Sequence, residues 1–160
     1  MGTAMKSFSR AISQDVEDLF TLFEKHQVNY LLVGAYAVMV YTDPRFTKDV
    51  ELWIEAAAAN SHCVTAALRE FGAPLTGLSE GDFSEPGFFY TMGIPPGRID
   101  LLMSLGTVDF TAAFSRRKFV PIGKCSVPLI AILDLIQAKQ DANRPQDLLD
   151  LERLKQSVDI

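Results

Sequence analysis

Cysteine is scarce in this 160-residue chain: only Cys63 and Cys125 occur, far apart and outside any C-x-x-C pair. Such spacing supplies neither the ligand pairs of a zinc site nor a disulfide framework, so buried free thiols are expected. Histidine is equally scarce, with His26 and His62 alone. His26 sits near a helix end, where a protonated ring favours the dipole, and His62 has no companion at metal-ligand spacing; neither reads as a ligand. Long apolar runs are missing too. Nothing approaches the ~18 apolar residues of a membrane span, and no N-terminal apolar core marks a signal peptide, so a soluble, cytoplasmic protein with no membrane partner is expected. Positive charge is the remaining deficit: 15 Lys and Arg against 20 Asp and Glu leave a net charge of −5. Broad nucleic-acid binding, which depends on cations neutralising phosphates, is disfavoured. Internal repeats and low-complexity tracts are also lacking.

What is present suits a single domain over 1–160, with 48% apolar residues to fill its core. A sheet core is expected over 28–104 and C-terminal helices over 128–158. Ile12, Val16, Leu19, Phe20 and Phe23 recur at helical spacing and predict a helix over 10–27, capped by Ser9 or Ser13. A buried strand over 30–33 meets a glycine turn at Gly34, then a helical segment, a loop over 43–48, and a second strand from Asp49. The run 56–71 predicts a helix stopped by Gly72 and Pro74. Residues 73–87 read as a long irregular loop, either a cover for a pocket or a surface excursion. Hairpins are expected over 88–94 with 98–104, around Pro95-Pro96-Gly97, and over 119–122 with 124–127, with a short helix over 108–114 between them. Pro128 is placed to open a helix with Leu129, Ile132, Leu133 and Ile136 as its buried stripe. Asn143 is placed to cap a last helix that packs through Leu148, Leu149, Leu151 and Leu154. The expected fold is α/β (α+β): a mixed, largely antiparallel sheet of about five strands, helices against one face, and a small helical C-terminal portion.

Chemistry concentrates between Tyr30 and Ile54. Along the second strand Val50, Leu52 and Ile54 point one way, leaving Asp49 and Glu51 as neighbours on the other face. Two close carboxylates repel, more so when partly buried, and call for a cation between them. A hard divalent ion such as Mg²⁺ suits oxygen donors and keeps room for waters or phosphates. At Gly34 a strand gives way to a helix, whose first N–H groups and dipole favour phosphate. Asp100, on the strand after the first hairpin turn, joins as a third acid if that strand lies beside the Asp49 strand; otherwise it pairs with Arg98. The run Arg116-Arg117-Lys118 steers a phosphate-rich partner or forms a solvated face.

The pattern Gly34-Ala35, then Arg45-Phe46-Thr47-Lys48-Asp49-Val50-Glu51, resembles the nucleotidyltransferase superfamily with the DNA polymerase β type of fold. It is most similar to small bacterial nucleotidyltransferase-like proteins related to abortive-infection toxin nucleotidyltransferases. The segment from Lys139 through Arg144-Pro145-Gln146-Asp147 to Asp150 resembles the ending of the same family. Ala35 stands where the family has Gly or Ser, and Glu51 where it has Asp. The resemblance implies Mg²⁺ (or Mn²⁺) on Asp49, Glu51 and Asp100, with Asp100 also activating the attacking hydroxyl. It implies a nucleoside triphosphate held by Gly34, Ala35, Arg45, Lys48 and Lys139, and transfer of its nucleoside monophosphate to a hydroxyl of RNA or protein. A toxin-type or phage-defence role with a cognate antitoxin belongs to the same implication. The rival readings are a nucleotide- or partner-binding module of this fold without turnover, and an acidic docking face for a basic partner.

Overall fold

The first apolar stripe closes as helix α1 (Gln14–Lys25), burying Val16, Leu19, Phe20 and Phe23, with the Ser13 hydroxyl accepting from the Val16 N–H at 3.4 Å. A computed structural model describes residues 12–158 apart from Pro96; the alternative cap Ser9 and the expected start at Arg10 lie outside them. Strand β1 (Tyr30–Val33) is buried along its whole length and runs straight into α2 (Gly34–Tyr41). Residues 34–39 of α2 are all buried, because the helix is enclosed by the sheet and by the C-terminal helices. Strand β2 (Asp49–Ile54) and helix α3 (Ala58–Phe71) follow, the helix ending on left-handed Gly72. Next come β3 (Phe89–Met92), β4 (Arg98–Leu102), α4 (Phe110–Ser115), β5 (Lys118–Ile122), β6 (Cys125–Leu129), α5 (Ile132–Ala142) and α6 (Pro145–Val158).

The six strands form one sheet in the order β3-β4-β2-β1-β6-β5. Antiparallel pairs join β1 to β2, β3 to β4 and β5 to β6, while β1–β6 and β2–β4 are parallel. The mixed, mostly antiparallel α+β architecture is therefore the one expected, with one strand more. Tyr30 is in register with Ile54, so it shares the face of Val50 and Leu52, and there its ring meets Phe20 and Phe23 of α1. Helices α1 and α3 pack together as the layer over that face. On the opposite face lie Asp49, Glu51 and Trp53, whose indole meets Phe110 edge-on with centroids 5.0 Å apart. Each fully buried Leu, Ile or Phe of this core contributes about 1.5–3 kcal/mol through lost water contact.

Three expectations are corrected. Pro128 does not open a helix: it sits in β6 opposite Phe119, because the alternation Cys125, Val127, Leu129 carries the strand past it. Helix α5 starts four residues later and buries Leu135 and Ala138 with Asp134 and Lys139, leaving Leu133 exposed. Asn143 does not cap α6; it ends α5 in the left-handed conformation (φ 52°), and the Arg144 N–H is taken by the Asp147 carboxylate at 3.1 Å. The buried stripe of α6 is Asp147, Asp150, Leu151 and Leu154, while Leu148 and Leu149 face out.

Residues 73–87 are held against α3 and β3, the Tyr90 hydroxyl donating to the Pro74 carbonyl. Phe83 is buried between Phe88 and Tyr90, and the short 3₁₀ turn Glu80–Ser84 is fastened to α3 through Ser61 to the Glu80 carbonyl and His62 to the Glu80 carboxylate. Cys63 and Cys125 are free thiols, the latter buried beside the Thr21 hydroxyl. Among the described residues no helix is long and apolar enough to cross a membrane.

Candidate acid face and cationic cleft

Parallel pairing of β2 with β4 sets Asp49 beside Arg98 and Glu51 beside Asp100, so all four side chains leave the same face of the sheet. The cation that the two acids call for is supplied by the chain itself. One Arg98 nitrogen, Nη2, donates to Asp49 Oδ2 at 2.6 Å and to Asp100 Oδ2 at 3.2 Å. Three carboxylates against one guanidinium still leave the face short of positive charge. Asp100 is only 8% exposed, and its Oδ1 has no hydrogen-bond partner among the described residues. Burial pushes its carboxyl above the usual range, with Asp49 adding to the effect and Arg98 opposing it. Thr91, opposite Asp100 on β3, is close enough to offset part of that cost without reaching hydrogen-bond geometry.

Glu51 pairs with Val33, the residue before the glycine turn. Its carboxylate therefore lies directly over Gly34, where a Cβ would overlap Glu51 Oε2, and Gly34 holds φ +67°. Only glycine meets both conditions without strain. The carboxylate stands where a phosphate would approach the turn. Burial raises the Glu51 pKa, Asp49 and Asp100 raise it further, and Lys139 and Arg144 act against them. The native carboxyl thus gives up its proton at higher pH than the unfolded one, whose ordinary value is 4.5. Above that value the unfolded chain binds fewer protons, and stability falls with rising pH until the native group has ionised as well. Glu51→Gln, measured without metal, is expected to raise the Tm at pH 7 and to shrink the difference toward pH 4, where the carboxyl is mostly protonated in the folded and the unfolded chain alike. An unchanged or lowered Tm at pH 7 would show that the Glu51 charge is satisfied in place.

Beside the acids opens a cleft of about 430 Å³, lined by Ala35, the loop residues 45–48, Asp49, Glu51 and, from α5 and α6, Lys139 and residues 144–147. Gly34 lies next to it, at a smaller cavity of about 50 Å³ shared with Glu51, Lys139 and Arg144. The chain therefore gathers Ala35, Arg45, Lys48, Lys139, Asp49 and Glu51 around one space. Asp100 stays on the sheet beside Glu51, outside the cleft lining.

Sequence reasoning missed where these cations are already engaged. Lys139 binds Asp147 at 3.1 Å and Asp150 at 3.0 Å, Arg45 binds Asp150 at 3.0 Å, and Arg144 binds Asp147 at 2.7 Å. Asp147 and Asp150 are 1% and 0% exposed. Burial opposes the Asp147 charge, yet the bonds from Arg144 and Lys139 outweigh it and hold the carboxyl below its usual range. Residues 147, 150, 151 and 154 fall on one helical stripe, so the aspartates share the buried side with Leu151 and Leu154. Of the four cleft cations, only exposed Lys48 is in no ion pair with a described residue. Two cations of the basic run 116–118 are also engaged internally, Arg116 in a two-pronged pair with Asp134 and Arg117 stacked 4.0 Å from the Phe114 ring centroid, while Lys118 stays exposed.

Among the described residues no group of three or more His, Cys, Asp and Glu is disposed to hold a metal ion, since Arg98 stands between two of the acids. The donors the face does offer are of the kind a hard divalent ion takes: they are carboxylate oxygens, their charge is unbalanced, and Asp100 Oδ1 is buried without a donor among the described residues. Comparison with protein-family models and with curated proteins finds no match to the chain.

Proposed function

We propose that the chain is a metal-dependent nucleotidyltransferase that moves a nucleoside monophosphate from a triphosphate to a hydroxyl of an RNA or protein acceptor. The observation that carries this reading is the in-register pairing of Glu51 with Asp100, which converges three acids beside the Gly34 turn and a cation-lined cleft. In this reading Asp49, Glu51 and Asp100 hold Mg²⁺ or Mn²⁺. When bound, such an ion supplies positive charge for the phosphates and lowers the pKa of the attacking hydroxyl. Lys48 and the exposed Arg144 draw the triphosphate into the cleft, while Arg45 and Lys139 set its positive floor through their bonds to Asp150. A cognate antitoxin is a partner consistent with a toxin-type enzyme.

Mg²⁺ with ATP, GTP, CTP or UTP should raise the Tm of the protein by mass action, about 2.7 kcal/mol of added stability when ligand is at 100 times Kd. Asp49→Asn should abolish the rise, and labelled nucleotide in a cell extract should mark an acceptor. No rise with any of the four nucleotides would sink the proposal. A second reading, a nucleotide-binding module without turnover, is favoured by Arg98 bridging Asp49 and Asp100 and by Glu51 lying over Gly34. A Tm rise with no labelled product would select it.

A further inference from the structure

Phe46 is 76% exposed, yet it lines the cleft and is the one aromatic among the described residues that do. The remaining large exposed apolar side chains, from Phe89 to Leu149, do not line this space. A single exposed aromatic is ordinary on a protein surface; what sets Phe46 apart is that it stands at the polar cleft. Its loop is also held in place. Arg45 donates from its backbone N–H to Met39 Sδ at 3.1 Å and from Nη1 to the Phe46 carbonyl at 3.1 Å, while Nη2 is fixed to fully buried Asp150. The backbone of Phe46 is thereby tied to the ion network under the cleft, and the ring is presented at its edge. Two residues on, Lys48 offers the cation that no described acid engages.

A planar apolar face beside an uncommitted cation matches a ligand with a flat ring at one end and phosphates at the other. We infer that Phe46 is the platform on which the nucleobase stacks, with Lys48 taking phosphate charge; this rests on the triphosphate reading above and adds the group that recognises the base. Stacking on one ring tolerates every base, since each has a π-face, so discrimination among the four is expected to be weak.

The test compares two probes on the full chain, ATP with Mg²⁺ and inorganic triphosphate with Mg²⁺, by calorimetry on wild type, Phe46→Ala and Phe46→Trp. Phe46→Ala is expected to weaken ATP by about tenfold, within the range of alanine substitutions at stacking rings, and to leave inorganic triphosphate within about twofold. Phe46→Trp is expected to keep ATP affinity and to lose indole fluorescence as ATP binds. ATP bound equally by wild type and Phe46→Ala would overturn the platform and leave the triphosphate reading standing. Equal weakening of ATP and inorganic triphosphate would also overturn it, because the loss would then concern the phosphates. Binding of neither probe to wild type would overturn both.

Discussion

Replacing Arg98 with Met lowers the Tm of the metal-free protein by several degrees, and Mg²⁺ or Mn²⁺ restores it. The first half follows from the two bonds the guanidinium makes, to Asp49 at 2.6 Å and to Asp100 at 3.2 Å. Without it, two carboxylates on neighbouring strands face each other and Glu51 with no cation between, and Asp100 is already buried with an unpartnered oxygen. The second half follows from the same geometry. Wild-type Arg98 competes with any divalent ion for the same oxygens and repels it. Removing a unit positive charge at about 4 Å from a divalent ion should strengthen metal binding about thirtyfold even at the dielectric of water, and far more at that of a protein surface. Titration of Mn²⁺ by electron paramagnetic resonance reads the affinity directly, independent of any turnover. If Arg98→Met is destabilised but binds no metal, the four side chains are a structural ion cluster and the metal part of the proposal fails.

Part of the fold and of the site was legible in the sequence. The segment from Tyr30 to Ile54 was, because each local signal agreed with the next: a run of four apolar residues, a glycine that the turn requires, and polar–apolar alternation from Asp49 to Leu52. The joining of Asp100 to Asp49 and Glu51 needed one further step, the parallel docking of β4 on β2, which no local pattern specifies. The phase of α6 was misread since four leucines and two aspartates compete for one helical face. Hydrophobicity alone favours burying Leu148 and Leu149, whereas the chain buries Asp147 and Asp150. What reverses the preference is the pair of cations waiting there. Lys139 comes from the preceding helix and Arg45 from a loop 105 positions away from Asp150. Partners that distant leave no trace in a helical window, and the same blindness let Lys139 pass as an uncommitted phosphate ligand.

Lys139→Met should cost about 3 kcal/mol of stability, the scale of a buried ion pair broken on one side. Both of its acids are buried and both keep one other cation, Arg144 for Asp147 and Arg45 for Asp150. The remaining pairs temper the loss, but neither arginine replaces the ammonium that ties the two carboxylates to each other. Adding Asp150→Asn to Lys139→Met removes one of the stranded charges, so the double variant should be more stable than the sum of the two single losses predicts. Urea unfolding at pH 7 measures all three variants. Because Lys139 sits on the floor of the cleft, nucleotide affinity gives an independent readout. A ligand-holding lysine would lose triphosphate binding with its stability intact, whereas a network lysine loses stability first and binding only as the Arg45 loop slackens. Wild-type stability in Lys139→Met, with nucleotide binding gone, would return Lys139 to the role of a phosphate ligand and assign the support of α6 to the two arginines.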